Sequence, residues 1–283
     1  MKRVKKAGAL LLSAALVLGL CGCTPKQEQQ AAFDAFMHRQ FVETVQSDYL
    51  TAHILLENPQ DYGVDMTQID VHIGTPLSET DAAEQRADLA DVEAEFARFR
   101  RSELTAEQQD TYDIFAFLLQ TSMMASNTKF DGYPNYFETM TGIHTQLPTL
   151  FADLTLRDEQ DVKDCIQLVQ SVQPYIQSLL DYTQKQADNG TLMVNLDEVI
   201  AHCQEIVEAG MDSAVLHSLQ TNIDGVEMDA AQREIYKQQM EQAFADSFLP
   251  AYRIVRQGHF LLYIHMPHGN TSTPTAQQKA PAC

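Results

Sequence analysis

Tryptophan is absent from the 283 residues, and bases are scarce: 19 Lys and Arg stand against 39 Asp and Glu, a formal net charge of −20. Lys2, Arg3, Lys5 and Lys6 lie in a head of 22 residues that holds no acid, so without it the balance falls to −24. A surface that negative repels phosphate backbones, which excludes nucleic acid as a partner. Gly (12) and Pro (10) are few, against a collagen-like or turn-rich all-β chain. The apolar fraction is an ordinary 45%, which excludes wholesale disorder. Catalytic signatures are also missing. No His is followed by Glu, so the His-Glu-x-x-His zinc helix is absent. There is no Gly-x-Ser-x-Gly elbow, P-loop or Gly-x-Gly-x-x-Gly turn.

What is present begins with an export signal. A basic head precedes the apolar run Ala9 to Leu20, which is too short to span a hydrocarbon core of ~30 Å and has the layout of a signal peptide. The run ends in Leu20-Cys21-Gly22-Cys23, which resembles the bacterial lipobox. Cys23 fits as the lipidated residue, with Gly22 before it, whereas Cys21 follows the large Leu20. Two acyl chains suffice for stable anchoring. The expected organisation is a lipoprotein signal peptide over 1–22, a polar tether over 23–30, a helical domain over 31–252 and an atypical, disordered tail over 253–283. The protein is expected on the extracytoplasmic face of the cell membrane.

The mature chain reads as an all-α, irregular multi-helix bundle. Residues 31–56 carry Phe33, Phe36 and Phe41 and close at Asn58-Pro59. Leu89, Val92, Phe96 and Phe99 make one helical stripe within 80–101. Thr105 and Gln108 form a capping-box pattern ahead of Tyr112, Phe115, Leu119 and Met123. The clearest helix is 159–187, where Val162, Cys165, Ile166, Val169, Val172, Ile176, Leu179 and Leu180 keep the helical period. Pro174 should kink or split it, and Gly190 should end it. Asn195 starts the next helix in the manner of a capping box, and Gly210 stops it. A short helix near 212–220 follows, then a long one from Asp229 to about residue 249. Ile69 to Ile73 alternates with period two, as a short strand or an ordered loop would. Cys165 and Cys203 read as small core residues, with a disulfide between them left open.

Two segments stand apart. Residues 126–149 are interrupted by Gly and Pro and crowded with Phe130, Tyr133, Tyr136 and Phe137. Such a long aromatic loop either serves function or caps the core. From 253 to 283 there is no acid, a composition break that suggests a disordered tail or a different coding history. For metal, Glu198, His202 and Glu205 share a predicted helix face, and His259, His265 and His268 lie in the tail; a solvated face explains the first set equally well.

Several stretches together carry a resemblance. They run from Phe33-Asp34-Ala35-Phe36 to Pro59-Gln60-Asp61-Tyr62-Gly63, then Thr141-Gly142-Ile143-His144-Thr145-Gln146-Leu147-Pro148 and Asp158-Glu159-Gln160-Asp161-Val162. Further on come Gly190-Thr191-Leu192-Met193, Val199-Ile200-Ala201-His202-Cys203 and Phe248-Leu249-Pro250-Ala251-Tyr252. In this order, over roughly residues 31–252, they resemble the first half of the bacterial domain-of-unknown-function 885 family. The resemblance implies a half of a larger, mostly helical, zincin-like fold. It also implies relatives that are zinc-dependent, peptidase-like lipoproteins, with a His-Glu-x-x-His helix in a second half that this sequence lacks. No catalytic residue, zinc ligand or cofactor is therefore expected in this chain. His144 and Gln146 fall in a matched segment and are expected to line the family's cleft. The implied partners are the membrane through the lipid anchor, and a peptide or the missing C-terminal half. The chain alone is expected to be inactive. A helical binding lipoprotein that presents the 126–149 loop, and an enzyme completed in trans, remain as alternatives. Without its second half, apolar stripes on 159–187 and 229–249 should be uncovered.

Acylation of Cys23 should send the protein into the detergent phase of a phase partition, and Cys23→Ser should move it to the aqueous phase. Release by Cys21→Ser instead would reassign the modified residue.

Overall fold

The computed structural model describes residues 25–265, with side chains through residue 258. Among these residues every regular element is helical and no strand occurs. The helices are α1 (Pro25–Gln46), α2 (Tyr49–Leu55), α3 (Glu79–Phe96), α4 (Ala106–Ala125), α5 (Ile143–Asp153), α6 (Glu159–Asp188), α7 (Leu196–Ala209) and α8 (Ala214–Asp224). The last, α9, runs Ala230–Ala243, passes through a π-helical turn at Phe244–Phe248 and continues as Leu249–His265. No described helix is long and apolar enough to cross a membrane. The chain forms two compact units. Of the described residues, one holds Pro25–Ser47 with Thr51–Ile69 and Glu79–Thr128; the other holds Asp48–Leu50, Asp70–Ser78 and Lys129–His265.

The first unit is built on aromatic packing. Phe33 and Phe36 of α1, Phe96 of α3, Leu104 just ahead of α4 and Leu119 within it form its buried centre. Phe96 stacks on Tyr112 at 4.5 Å between centroids, and Phe36 meets Phe115 edge-on at 5.5 Å. Such aromatic contacts add about 0.5–1.5 kcal/mol each beyond the area they bury. The capping box at α4 forms in full. The Thr105 hydroxyl accepts from the Gln108 backbone N–H, and Gln108 Oε1 accepts from the Thr105 backbone N–H. The Gln108 amide then donates to the Gln30 carbonyl and to Asp34 Oδ1 at 2.7 Å, which ties the start of α4 to α1.

The second unit is organised along α6. Its apolar stripe from Val162 to Leu180 is buried almost throughout, the arrangement that an amphipathic helix of this length requires. Asp158 caps its N-terminus through the Gln160 and Asp161 N–H groups, and Gly190 ends it with a positive φ of 69°. Tyr49 donates to Asp164 Oδ2, and the Ile73 and Leu77 N–H groups donate to Ser171 and Ser178 hydroxyls on its surface. Gly74 lies where a Cβ would sit 2.7 Å from the Tyr175 ring, so a larger residue there would have to displace that ring. Phe244, Phe248 and Tyr252 of α9 stack in succession, and Phe151 of α5 packs edge-on against Phe248.

Several expectations change. Pro174 does not split α6. Its missing N–H would have bonded the Gln170 carbonyl, and Ser247 from the π turn donates its hydroxyl to that carbonyl at 2.8 Å. The same hydroxyl accepts from Gln173 N–H. Residues 143–149, expected to be irregular, form the first part of α5 with Pro148 inside it. The carbonyl that Pro148 leaves without its helical donor is that of His144, and Tyr252 donates to it at 2.8 Å. Residues 25–30 are helical rather than a tether, because Lys, Gln, Glu and Ala are strong helix formers. Asn195 makes no side-chain cap bond. The Ile69–Ile73 stretch is loop. The last helix continues to His265, so residues 253–265 are not a disordered tail; residues 266–283 and the lipobox Cys23 lie outside the described residues. Cys165 and Cys203 are buried and free, without a disulfide. The apolar stripes of 159–187 and 229–249 are covered by each other and by their neighbours, with Ile235 the large exception at the surface.

Ser247→Ala should cost about 1–3 kcal/mol, because it strips a buried carbonyl of its donor. In a Pro174→Ala background, where a backbone N–H returns, the same substitution should cost measurably less. Urea unfolding of the four proteins of this double-mutant cycle checks it; equal costs in both backgrounds would mean that Ser247 does not compensate for the proline.

Candidate functional site

Two of the buried side-chain nitrogens without a hydrogen-bond partner, on His144 and His202, come together where α5 begins. Gly142 is the N-cap of α5, and a Cβ there would lie 2.4 Å from the Glu138 carbonyl and 2.8 Å from His144 Cε1. Glycine at 142 therefore lets the chain turn tightly enough to drive His144 inward. His144 is 1% exposed. Its ring stands nearly perpendicular to that of His202 on α7, with centroids 5.4 Å apart, and Phe137 closes the other side at 6.0 Å. Neither His144 Nδ1 nor His202 Nε2 has a hydrogen-bond partner, although both atoms are buried. The backbone of His144 is held by Tyr252 of α9, and α9 is tied to α7 through Arg256 Nη1 donating to Gln204 Oε1 at 2.7 Å.

Burial, with a smaller contribution from the neighbouring His202, pushes the His144 pKa down to about 4. The imidazole is neutral at physiological pH and offers one donor and one acceptor. Burial also pushes the adjacent Cys203 thiol up to about 12, so it is a thiol and not a nucleophilic thiolate. The cluster holds hydrogen-bonding capacity in a dry setting without an activated nucleophile.

Of the sequence candidates, His144 lies in this cluster. Gln146 does not: two positions further along α5 it points to solvent, and its amide folds back onto the Thr141 carbonyl. Glu198 and Glu205 are exposed, while His202 turns inward, so the face they share does not assemble as a ligand set. Among the described residues no three His, Cys, Asp or Glu side chains gather to hold a metal. His259, His265 and His268 fall outside the described side chains. The pairing of His202 with His144 and the role of Tyr252 were missed, since neither leaves a local spacing signal; the one clue was Pro148, whose presence in a helix demands an outside donor.

Beside the cluster, the aromatic loop is pinned rather than loose. Gln186 donates to the Gly132 and Pro134 carbonyls, Tyr182 to the Asp131 carbonyl at 2.6 Å, and Asn135 to the Met193 carbonyl. Phe137 is fully buried and caps the core, whereas Phe130, Tyr133 and Met140 are exposed.

A family model described as a bacterial protein of unknown function (DUF885) matches residues 61–275. The match extends through residues 253–275, so the composition break at 253 is not where the family ends. The fold is similar to a crystal structure described as "the putative lipoprotein from Colwellia psychrerythraea", with a TM-score of 0.65 and 14% identity, over 84% of this chain and 41% of that chain. This chain thus spans well under half the length of that neighbour. No curated protein matches the sequence.

The depressed pKa of His144 sets a pH dependence. Above about pH 6.5 the group is neutral folded or unfolded, so it adds no pH dependence to stability there. As pH falls from there toward about 4, the unfolded chain takes up a proton that the folded chain refuses, and stability drops by up to about 3 kcal/mol. Urea midpoints from pH 7 to pH 4 should fall less steeply for His144→Gln than for the wild type; parallel profiles would show that His144 is not held neutral.

Proposed function

The chain belongs to the bacterial DUF885 family of unknown function, and we propose that it is the exported, lipid-anchored N-terminal half of a larger peptidase-like helical fold, without catalytic machinery of its own. The observation that carries the reading is the ratio of lengths: the similar structure is matched over 84% of this chain but only 41% of its own. The lipid anchor rests on Cys23 and its lipobox, and the description of that neighbour as a lipoprotein supports it. Anchoring at Cys23 would leave only Thr24 between the acylated residue and α1, which keeps the first unit close to the outer face of the membrane.

Zinc enters only through the resemblance. The described side chains do not gather into a set that fits it, and no catalytic step follows through a metal in this chain. What the chain offers is a shaped surface. Phe130, Tyr133 and Met140 present apolar side chains on a pinned loop, behind which His144 and His202 lie with buried, unpartnered ring nitrogens. Those exposed side chains favour one second reading, a helical lipoprotein that presents the 126–149 segment to a peptide or protein partner. Catalysis completed in trans by a separate second half is the version of the first reading in which this surface meets a metal-bearing partner.

The dialysed full chain should hold no stoichiometric zinc by elemental analysis and should not hydrolyse a mixed peptide library. One tightly held zinc per chain, or hydrolysis that a chelator abolishes, would contradict the proposal. Capture of library peptides that Tyr133→Ser abolishes would favour the binding reading.

A further inference from the structure

α4 is apolar on two faces. Toward α1 and α3 it buries Leu119 and packs Tyr112, Phe115, Ala116 and Met123. Away from them, Ile114 is 63%, Phe117 67%, Leu118 56% and Met124 66% exposed. With 3.6 residues per turn, these four fall on one stripe about three turns long. From Ile114 to Ala125 the helix carries no charged residue, in a chain with 39 acids. Large apolar side chains thus stand on two opposite faces of α4, and among the described residues only one of these faces is covered.

We propose that this outer face of α4 is the contact through which two copies of the chain pair about a two-fold axis. A contact of that symmetry requires a single patch that matches itself. Two α4 helices lying antiparallel place Phe117 and Leu118 at the centre and leave Glu107 and Asp110 at the solvated rim. Four large side chains more than half exposed amount to on the order of 500 Å² of apolar surface, already at the upper end for a monomer. Pairing two such faces buries about 1,000 Å², the floor for a specific interface. A bilayer is a poorer cover. Interfacial helices are rich in Lys and Arg, whereas no base occurs between Arg101 and Lys129, and the first turns of α4 carry Glu107, Asp110 and Asp113. Self-repulsion between acidic copies makes the pair stronger at higher ionic strength. The inference does not rest on the reading of the chain as half of a larger fold, since copies can pair through this face in either case.

Sedimentation equilibrium of the full chain in density-matched detergent tests it. The wild type should show the mass of two chains, and Phe117→Glu the mass of one. Because Phe117 is exposed, the helical circular dichroism should be unchanged by the substitution. Mixing Phe117→Glu with Phe117→Lys should restore the two-chain species by pairing opposite charges across the axis. A wild type that remains a single chain at high concentration and high salt overturns the proposal, as does a two-chain species indifferent to Phe117→Glu. Phe117-dependent binding of Cys23→Ser protein to neutral phosphatidylcholine vesicles, with no two-chain species in solution, also overturns it and assigns the face to lipid.

Discussion

One proline sits inside α5 and one inside α6, and a single helix, α9, makes both of them tolerable. Pro148 in α5 leaves the His144 carbonyl without its helical donor, and Pro174 in α6 does the same to Gln170. Both carbonyls are served by hydroxyls of α9, Tyr252 and Ser247. An unsatisfied buried carbonyl costs enough that α5 and α6 could not run straight through their prolines without α9 in register. The π-helical turn at Phe244–Phe248 contains Ser247 and is followed closely by Pro250, so the irregularity of α9 falls where its side chains do this bonding. π turns commonly mark such positions.

The histidine pair inherits its geometry from that constraint. Tyr252 holds the backbone of His144, Gly142 permits the turn that precedes it, and Arg256 ties α9 to the helix that carries His202. His144 Nδ1 and His202 Nε2 are both buried without a hydrogen-bond partner, and an unpaired buried polar atom costs free energy. Nothing nearby converts them into a nucleophile–base pair, because the neighbouring Cys203 is held as a thiol. The cluster therefore reads as preformed hydrogen-bonding capacity without an activated nucleophile.

The sequence was legible where a local pattern maps directly onto a local structure. The stripe of α6, the capping box at Thr105 and Gln108, and the glycines 190 and 210 at helix ends are of this kind. It was misleading where the deciding group lies far along the chain. Pro148 and Pro174 read as breaks because their compensating hydroxyls are about a hundred and about seventy residues away. The start of α1 was mistaken for a tether because polar residues with high helix propensity look the same in both states. The absence of acids after residue 253 marked a change in composition, yet α9 continues to His265, since its periodicity rather than its charge decides helicity. Of the expected site only His144 was placed in the cluster that the fold assembles; its partner came from a helix face that had been weighed for metal.

The account holds that the second unit is a complete packed body in the isolated chain, with α9 as its keystone, although the chain spans less than half of a similar structure. Amide hydrogen exchange of the purified chain measures this directly, because protection reports opening free energy residue by residue. The slowest amides should lie in α6 between Val162 and Leu180, in α7 and in α9 from Tyr236 to Val255, and they should exchange together through global unfolding. Exchange of those amides as fast as that of the exposed 130–140 loop would contradict the account, and would mean that these helices need another polypeptide to hold them.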